Sequence, residues 1–116
     1  MGIRDKLRKL GADTVEIEQG RLAGRYAGLG ATTIADAPLR TRTRLAGEIT
    51  SIRVVPRDGS PSLEVSVNDG TGHAVAVFTG RRSIPGINPS RGIVLNGVAR
   101  RERNRLMLLN PAYELV

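Results

Sequence analysis

The sequence predicts a small, closed, all-β sheet of five strands behind a short N-terminal appendage. Three observations carry that prediction. Five short apolar runs fall between Leu45 and Tyr113. Gly, Pro, Asp or Asn cuts off each of them, as turn chemistry requires. The second run alternates strictly between apolar and polar residues, the period of a strand with one buried face. At 116 residues the chain is long enough for one domain, or for one domain plus an appendage.

Residues 40–44 (RTRTR) alternate and lead into the first strand, which starts at Leu45 and runs to about Val55. Pro56 ends it, and residues 57–61 (RDGSP) form a strong turn signal. Strand two is Leu63 to Val67, with Leu63, Val65 and Val67 on one face and Glu64 and Ser66 on the other. Residues 68–72 (NDGTG) close a hairpin, because Asp-Gly supplies the positive φ angles of a tight turn. Strand three is Ala74 to Phe78. Its alternation turns Val75 and Val77 to the core and leaves Phe78 on the outer face with Ala74 and Ala76. Residues 81–90 are polar and hold Pro85, Gly86 and Pro89, so they connect rather than pair. Strand four spans Ile93 to about Arg100, with Gly97 as a bulge. Residues 101–105 (RERNR) make the next turn, strand five is Leu106 to Leu109, and Asn110-Pro111 stops it.

The chain divides near residue 39, into an appendage (1–39) and a barrel (40–116). In the appendage, Ile3, Leu7 and Leu10 have helical spacing, with Gly11 as a stop. Asp13 to Glu16 resembles a capping box that would start a helix at Thr14, yet Val15 and Ile17 alternate with Glu16 and Glu18, which suits a strand equally. A micro-repeat follows, GRLA-GRYA-GLGA from Gly20. Four glycines in eleven residues each cost a helix roughly 1 kcal/mol against Ala. A linker or a loosely held helix is therefore expected.

Charge is distributed unevenly. There are 18 basic and 11 acidic residues, a net charge of +7, and only Lys6 and Lys9 among the bases are not arginine. From Arg40 onward there are twelve Arg and six acids, so the basic excess lies almost entirely in the β region. The guanidinium fork matches phosphate and stacks on bases, which points to nucleic acid. Codon usage in a GC-rich genome explains the same bias.

Other classes are excluded or disfavoured. The chain has no Cys, so it has neither a disulfide nor a thiolate metal site. No apolar run approaches the roughly 20 residues of a membrane span, and no long amphipathic helix supports membrane-surface attachment. Arg4, Lys6, Arg8 and Lys9 interrupt every early apolar stretch, so a secretory leader is not expected and the cytoplasm is the default location. His73, the single His, sits in a hairpin turn, where it offers neither a zinc site nor a catalytic triad. Residues 70–72 (GTG) precede no helix, and residues 80–83 (GRRS) lack the lysine of a phosphate-binding loop. No catalytic activity, cofactor or metal is expected.

The strand plan and three segments carry a resemblance. Residues 45–52 (LAGEITSI), 63–72 (LEVSVNDGTG) and 75–78 (VAVF) resemble the OB-fold nucleic-acid-binding family, a five-stranded Greek-key barrel. They are similar to the OB domains of RecG-type and anticodon-binding proteins. Residues 80–87 (GRRSIPGI) and 110–115 (NPAYEL) are similar to small stand-alone actinobacterial OB proteins. The resemblance covers residues 31–115. It departs from the family in its short, Pro-rich connector between strands three and four and in its scarcity of aromatics. It implies a barrel that binds oligomers across strands two and three, between the one-two and four-five loops.

On that frame the candidate contacts are arginines and one ring. Arg57 lies in the one-two loop, and Arg101, Arg103 and Arg105 in the four-five loop. They serve either as phosphate ligands in one basic cleft or as ordinary solvated turns. Arg81 and Arg82 leave strand three beside Phe78. Arg40, Arg42 and Arg44 share a strand face, as phosphate ligands or as protection of an edge. Phe78 stacks on a base from the outer face or tucks under Ile84 as core. The function expected is binding of single-stranded DNA or RNA with low sequence specificity. The alternative is a protein-interaction adaptor, favoured by the few aromatics. Neither the oligomeric state nor the choice between DNA and RNA is encoded legibly.

Overall fold

The computed structural model describes residues 3–116, with side chains described from Asp13 onward. Helix α1 (Ile3–Tyr26) leads through a 3-10 turn (Ile34–Asp36) into six strands. These are β1 (Arg42–Arg57), β2 (Ser60–Asn68), β3 (His73–Thr79), β4 (Gly92–Glu102), β5 (Arg105–Leu109) and β6 (Ala112–Leu115). β1 pairs antiparallel with both β2 and β4, and β3 pairs parallel with β5. The ring β1-β2-β3-β5-β4 therefore closes on itself, which is the topology of an OB barrel. β6, which the sequence left as a stop after Leu109, pairs antiparallel with β4 over Ile93–Asn96. No described helix is long and apolar enough to cross a membrane.

The barrel interior is filled from every strand. Leu45, Ile49, Leu63, Val65, Val67, Ile93, Leu95 and Leu108 are essentially inaccessible. Ile34 from the 3-10 turn and Ile84 and Ile87 from the connector close off the same cluster. The long first strand bends at Thr50, where its register with β2 shifts between Ile49 and Ser51. This bulge is on β1, not at Gly97 as the sequence suggested. Gly97 keeps its register with Thr43 and instead leaves room for Pro111, whose Cβ would lie 3.3 Å from an added methyl.

The third strand faces the opposite way from the sequence expectation. Its register with β2 sets Phe78 opposite Leu63, Ala76 opposite Val65 and Ala74 opposite Val67. Residues directly opposite share a face, so Ala74, Ala76 and Phe78 point into the main core. Val75 and Val77 lie on the outer side with Met107 in a separate small cluster.

Of the two forms expected for the micro-repeat, residues 20–26 take the helix and residues 27–31 lie beyond it. Gly20 and Gly24 lie within α1, which runs on past the stop expected at Gly11. What holds it is tertiary packing, the usual source of helix stability in proteins. Leu22 and Tyr26 bury against Ala46 of β1 and Val94 of β4. Arg21 and Arg25 reach Glu48 of β1 at 3.1 and 3.6 Å. Gly70, in the β2–β3 turn with φ +89°, lies against the helix backbone at Gln19 and Ala23, where a Cβ has no room. Residues 13–21 are otherwise exposed, including Val15 and Ile17.

The chain between helix and barrel is fixed by Asp69. One carboxylate oxygen accepts from the Ile34 amide at 2.9 Å, and the other from the Thr71 and Gly72 amides. Thr32 donates to the Arg44 carbonyl at 2.8 Å.

Candidate nucleic-acid interface

Two concave surfaces contain most of the arginines singled out in the sequence, and they differ in charge balance. The first is the cleft between the β1–β2 and β4–β5 loops, about 300 Å³, lined by Arg57, Arg103 and Arg105 together with Asp58, Glu64 and Glu102. Folding does bring these distant arginines together, but it also brings an equal number of acids. Arg57 makes a two-pronged pair with Glu102 at 3.2–3.3 Å, which ties the end of β1 to the end of β4 and places Arg57 on the strand, not in the one-two loop. Glu64, on the outer face of β2, is buried. It accepts from Arg105 at 2.8 Å and from Arg53 at 3.1 Å.

These pairs are strong enough to move proton affinities. Burial alone would raise the Glu64 pKa, but the Arg105 hydrogen bond and charge, joined by Arg53, hold it below the ordinary carboxylate range. The hydrogen bond from Arg57 lowers Glu102 in the same way, and Glu64 raises Arg105. The cleft is thus internally neutralised. Arg103 is its only arginine without a carboxylate among the described residues.

The second surface is a groove of about 860 Å³ where the start of β1, the middle of β4 and the β5–β6 link meet. Arg40, Arg42, Arg100 and Arg101 line it with Leu39, Val98, Leu109, Asn96 and Asn110, and no acid does. Arg42 lies opposite Val98 in the β1–β4 register, and Arg100 opposite Met107 in the β4–β5 register. Arg42, Val98 and Arg100 therefore share the outer face, with Arg42 and Arg100 on a diagonal about 7–8 Å long. Arg40 enters through a left-handed turn, φ +62°, and its amide donates to the Ala99 carbonyl at 2.8 Å. None of the four forms an ion pair among the described residues.

The other sequence candidates fall elsewhere. Arg44 shares the face of Arg42, but its guanidinium donates to the Leu29 carbonyl at 3.1 Å and lies 3.8 Å from Glu114, so it fastens the segment after α1 to the barrel. Arg81 and Arg82 are exposed on the connector and line neither surface. Phe78 is not a surface ring. It is 7 % exposed and meets Tyr113 edge-on, with centroids 5.7 Å apart. The stacking role expected of it is corrected accordingly. Its cause is the inverted face of β3. Sequence reasoning missed Arg100 altogether and the acids that occupy the cleft.

No protein-family model and no curated protein matches the sequence. Solved structures do match. The OB domain of a Methanosarcina mazei protein aligns with a TM-score of 0.57 at 14 % identity, covering 73 % of this chain and 82 % of that one. The OB domain of a Thermoplasma acidophilum protein aligns at 0.54 and 20 % identity, covering 73 % and 85 %. A chain of a Replication Protein A heterotrimer bound to ssDNA aligns at 0.51 and 18 % identity, covering 72 % of this chain. The present chain spans 63 % of that longer chain. The fold is an OB barrel. At these identities the likeness speaks to architecture alone.

Proposed function

We propose that this protein binds nucleic acid, as single strands and with little sequence preference. The observation that carries the reading is a concave surface on an OB barrel lined by four arginines with no acid among them. Arginines without internal partners are free to replace the counterions around phosphates, and that exchange supplies most sequence-neutral affinity. Net charge of +7 adds a long-range field that draws a polyanion in. The likeness to a Replication Protein A chain from a complex with ssDNA supports the same reading. Weak sequence preference follows from reliance on phosphate contacts, which carry no sequence information, and stacking adds little. Of three aromatics, Phe78 and Tyr26 are buried, which leaves Tyr113 partly exposed.

Fluorescence anisotropy of labelled 15-mers of DNA and RNA, titrated at several salt concentrations, tests this. Contact with four to six phosphates gives a slope of log K against log salt of roughly −3 to −4. A signal absent at low salt, or one indifferent to salt, sinks the reading.

A second reading, a protein-interaction adaptor, is favoured by one observation. Residues 13–20 of α1 are exposed, Val15 and Ile17 at 56 % and 74 %. A partner that stays bound after nuclease treatment and is lost with Val15→Glu/Ile17→Glu would favour that reading.

A further inference from the structure

The geometry points to the β1–β4–β5 groove, not the loop-framed cleft across β2 and β3, as the place where the strand lies. This inference rests on the nucleic-acid reading above and adds a location to it.

The argument is one of exchange. An arginine already paired with a carboxylate must give up that pair to take a phosphate, so the swap returns little net affinity. Arg57 and Arg105 are in that position, held by Glu102 and Glu64. Glu64 and Glu102 also present negative charge where a phosphate would sit. Releasing Arg105 would strip Glu64, whose side chain is 6 % exposed, of its shortest hydrogen bond.

The groove makes no such demand. None of its four arginines is ion-paired with a carboxylate among the described residues. Arg42 and Arg100 share the outer face, whereas Arg101, opposite Leu106, lies on the other side of β4. Like charges held together on one concave surface focus the field on an incoming polyanion. The apolar floor at Val98 and Leu109, 49 % and 42 % exposed, offers a surface against which the flat face of a base can lie. The Asn96 amide adds a donor and an acceptor that any base edge or phosphate can use, while the Asn110 amide is held by Thr79. This composition suits a phosphate-bearing strand with unstacked bases.

The test compares three double variants that each remove two charges. They are Arg42→Ala/Arg100→Ala in the groove, Arg103→Ala/Arg105→Ala in the cleft and Arg81→Ala/Arg82→Ala on the connector. Each is titrated by anisotropy with a fluorescein-labelled 15-mer of dT from 50 to 300 mM salt, after its melting temperature is checked. The groove variant is expected to flatten the salt slope by about 1.4, two phosphates at roughly 0.7 each, and to weaken binding at least tenfold at 100 mM salt. The other two are expected to leave the slope within about 0.3 of wild type.

A slope lost only in the cleft variant overturns the location, as does an equal effect in all three. Wild-type protein that binds no oligonucleotide at low salt overturns the functional reading itself, a different failure. Binding of poly-glutamate but not dT by the groove makes it an acidic-peptide site and also overturns the inference. Photo-crosslinking of a bromouracil 15-mer to the wild-type chain is an independent readout. Adducts within residues 96–101 support the groove, and adducts within 57–64 refute it.

Discussion

Replacing Phe78 by alanine separates a core ring from a base-stacking one. The side chain is 93 % buried, packed in the main cluster with Leu63, Ile84 and Leu106, and edge-on to Tyr113. Truncating a buried Phe costs about 3–5 kcal/mol. The lost edge contact with Tyr113, of a kind worth about 0.5–1.5 kcal/mol, places the effect in the upper half of that range. For a domain whose total stability is of order 5–15 kcal/mol, this is a large share. At roughly 3–5 °C per kcal/mol for this chain length, the melting temperature should fall by about 12–25 °C. Thermal and urea unfolding followed by circular dichroism read this directly. Anisotropy at 10 °C, where the variant still folds, should give binding within twofold of wild type. Phe78→Leu should lose under about 1.5 kcal/mol and keep binding. A variant with an unchanged melting point and tenfold weaker binding would show that the ring meets bases, and the inward placement of β3 would be wrong.

Three further outcomes follow from the same contacts. Glu64 has a folded pKa below its unfolded one, so its stabilisation is full above about pH 4.3 and is lost as pH falls through the folded value; Glu64→Gln should flatten acid unfolding below pH 4.3 and cost about 1–2 kcal/mol at pH 7, since its arginine partners are partly solvated. An unchanged acid limb in a pH series of urea midpoints would refute the pairing. The Tyr26 hydroxyl is buried with no hydrogen-bond partner among the described residues, so Tyr26→Phe should be neutral or stabilise by up to about 1 kcal/mol; a loss above about 0.5 kcal/mol in urea unfolding would mean that the hydroxyl is bonded. Gly70→Ala meets both a left-handed φ and the backbone of α1, so it should cost at least about 1–2 kcal/mol and speed proteolysis within residues 20–30; wild-type protection would mean that the helix does not rest on this turn.

The barrel was legible because its turns are chemically explicit. The Asp-Gly pairs at Asp58-Gly59 and Asp69-Gly70 and the Asn110-Pro111 pair punctuate the chain, and the strands fall between them. Pro56 does not end β1, which runs through it to Arg57 and pairs it with Pro61. The face of β3 was misread because both of its sides are apolar. Ala74, Ala76 and Phe78 compete with Val75 and Val77, so alternation cannot tell core from surface. The hairpin could have decided it. A turn closed between Asn68 and His73 forces Phe78 opposite Leu63, and Leu63 is unambiguously inward. The fate of the arginines carried no such signal. Arg57 finds Glu102 across 45 residues and Arg105 finds Glu64 across 41. Such pairings depend on barrel closure, which composition does not encode. α1 was obscured for a related reason: its glycines argue against a helix locally, and the contacts that stabilise it, Leu22 and Tyr26 on Ala46 and Val94, are tertiary.

An arginine count therefore measures the wrong quantity for binding. Of the twelve arginines from Arg40 onward, Arg44, Arg53, Arg57 and Arg105 are engaged by carboxylates and hold loops and strands in place. These four act as structure, and their charge is cancelled within a few ångströms. The field that a distant phosphate senses comes from the rest. Among those, Arg81, Arg82 and Arg91 are exposed on the connector, where long flexible side chains present no shaped surface. Arg40, Arg42, Arg100 and Arg101 stand on the backbone of two paired strands and the turn that enters them. A rigid sheet holds their separations nearly constant, so less ordering entropy is lost when a strand docks. That difference, availability combined with fixed spacing, is why an OB barrel with an internally neutralised cleft can still be a nucleic-acid-binding protein.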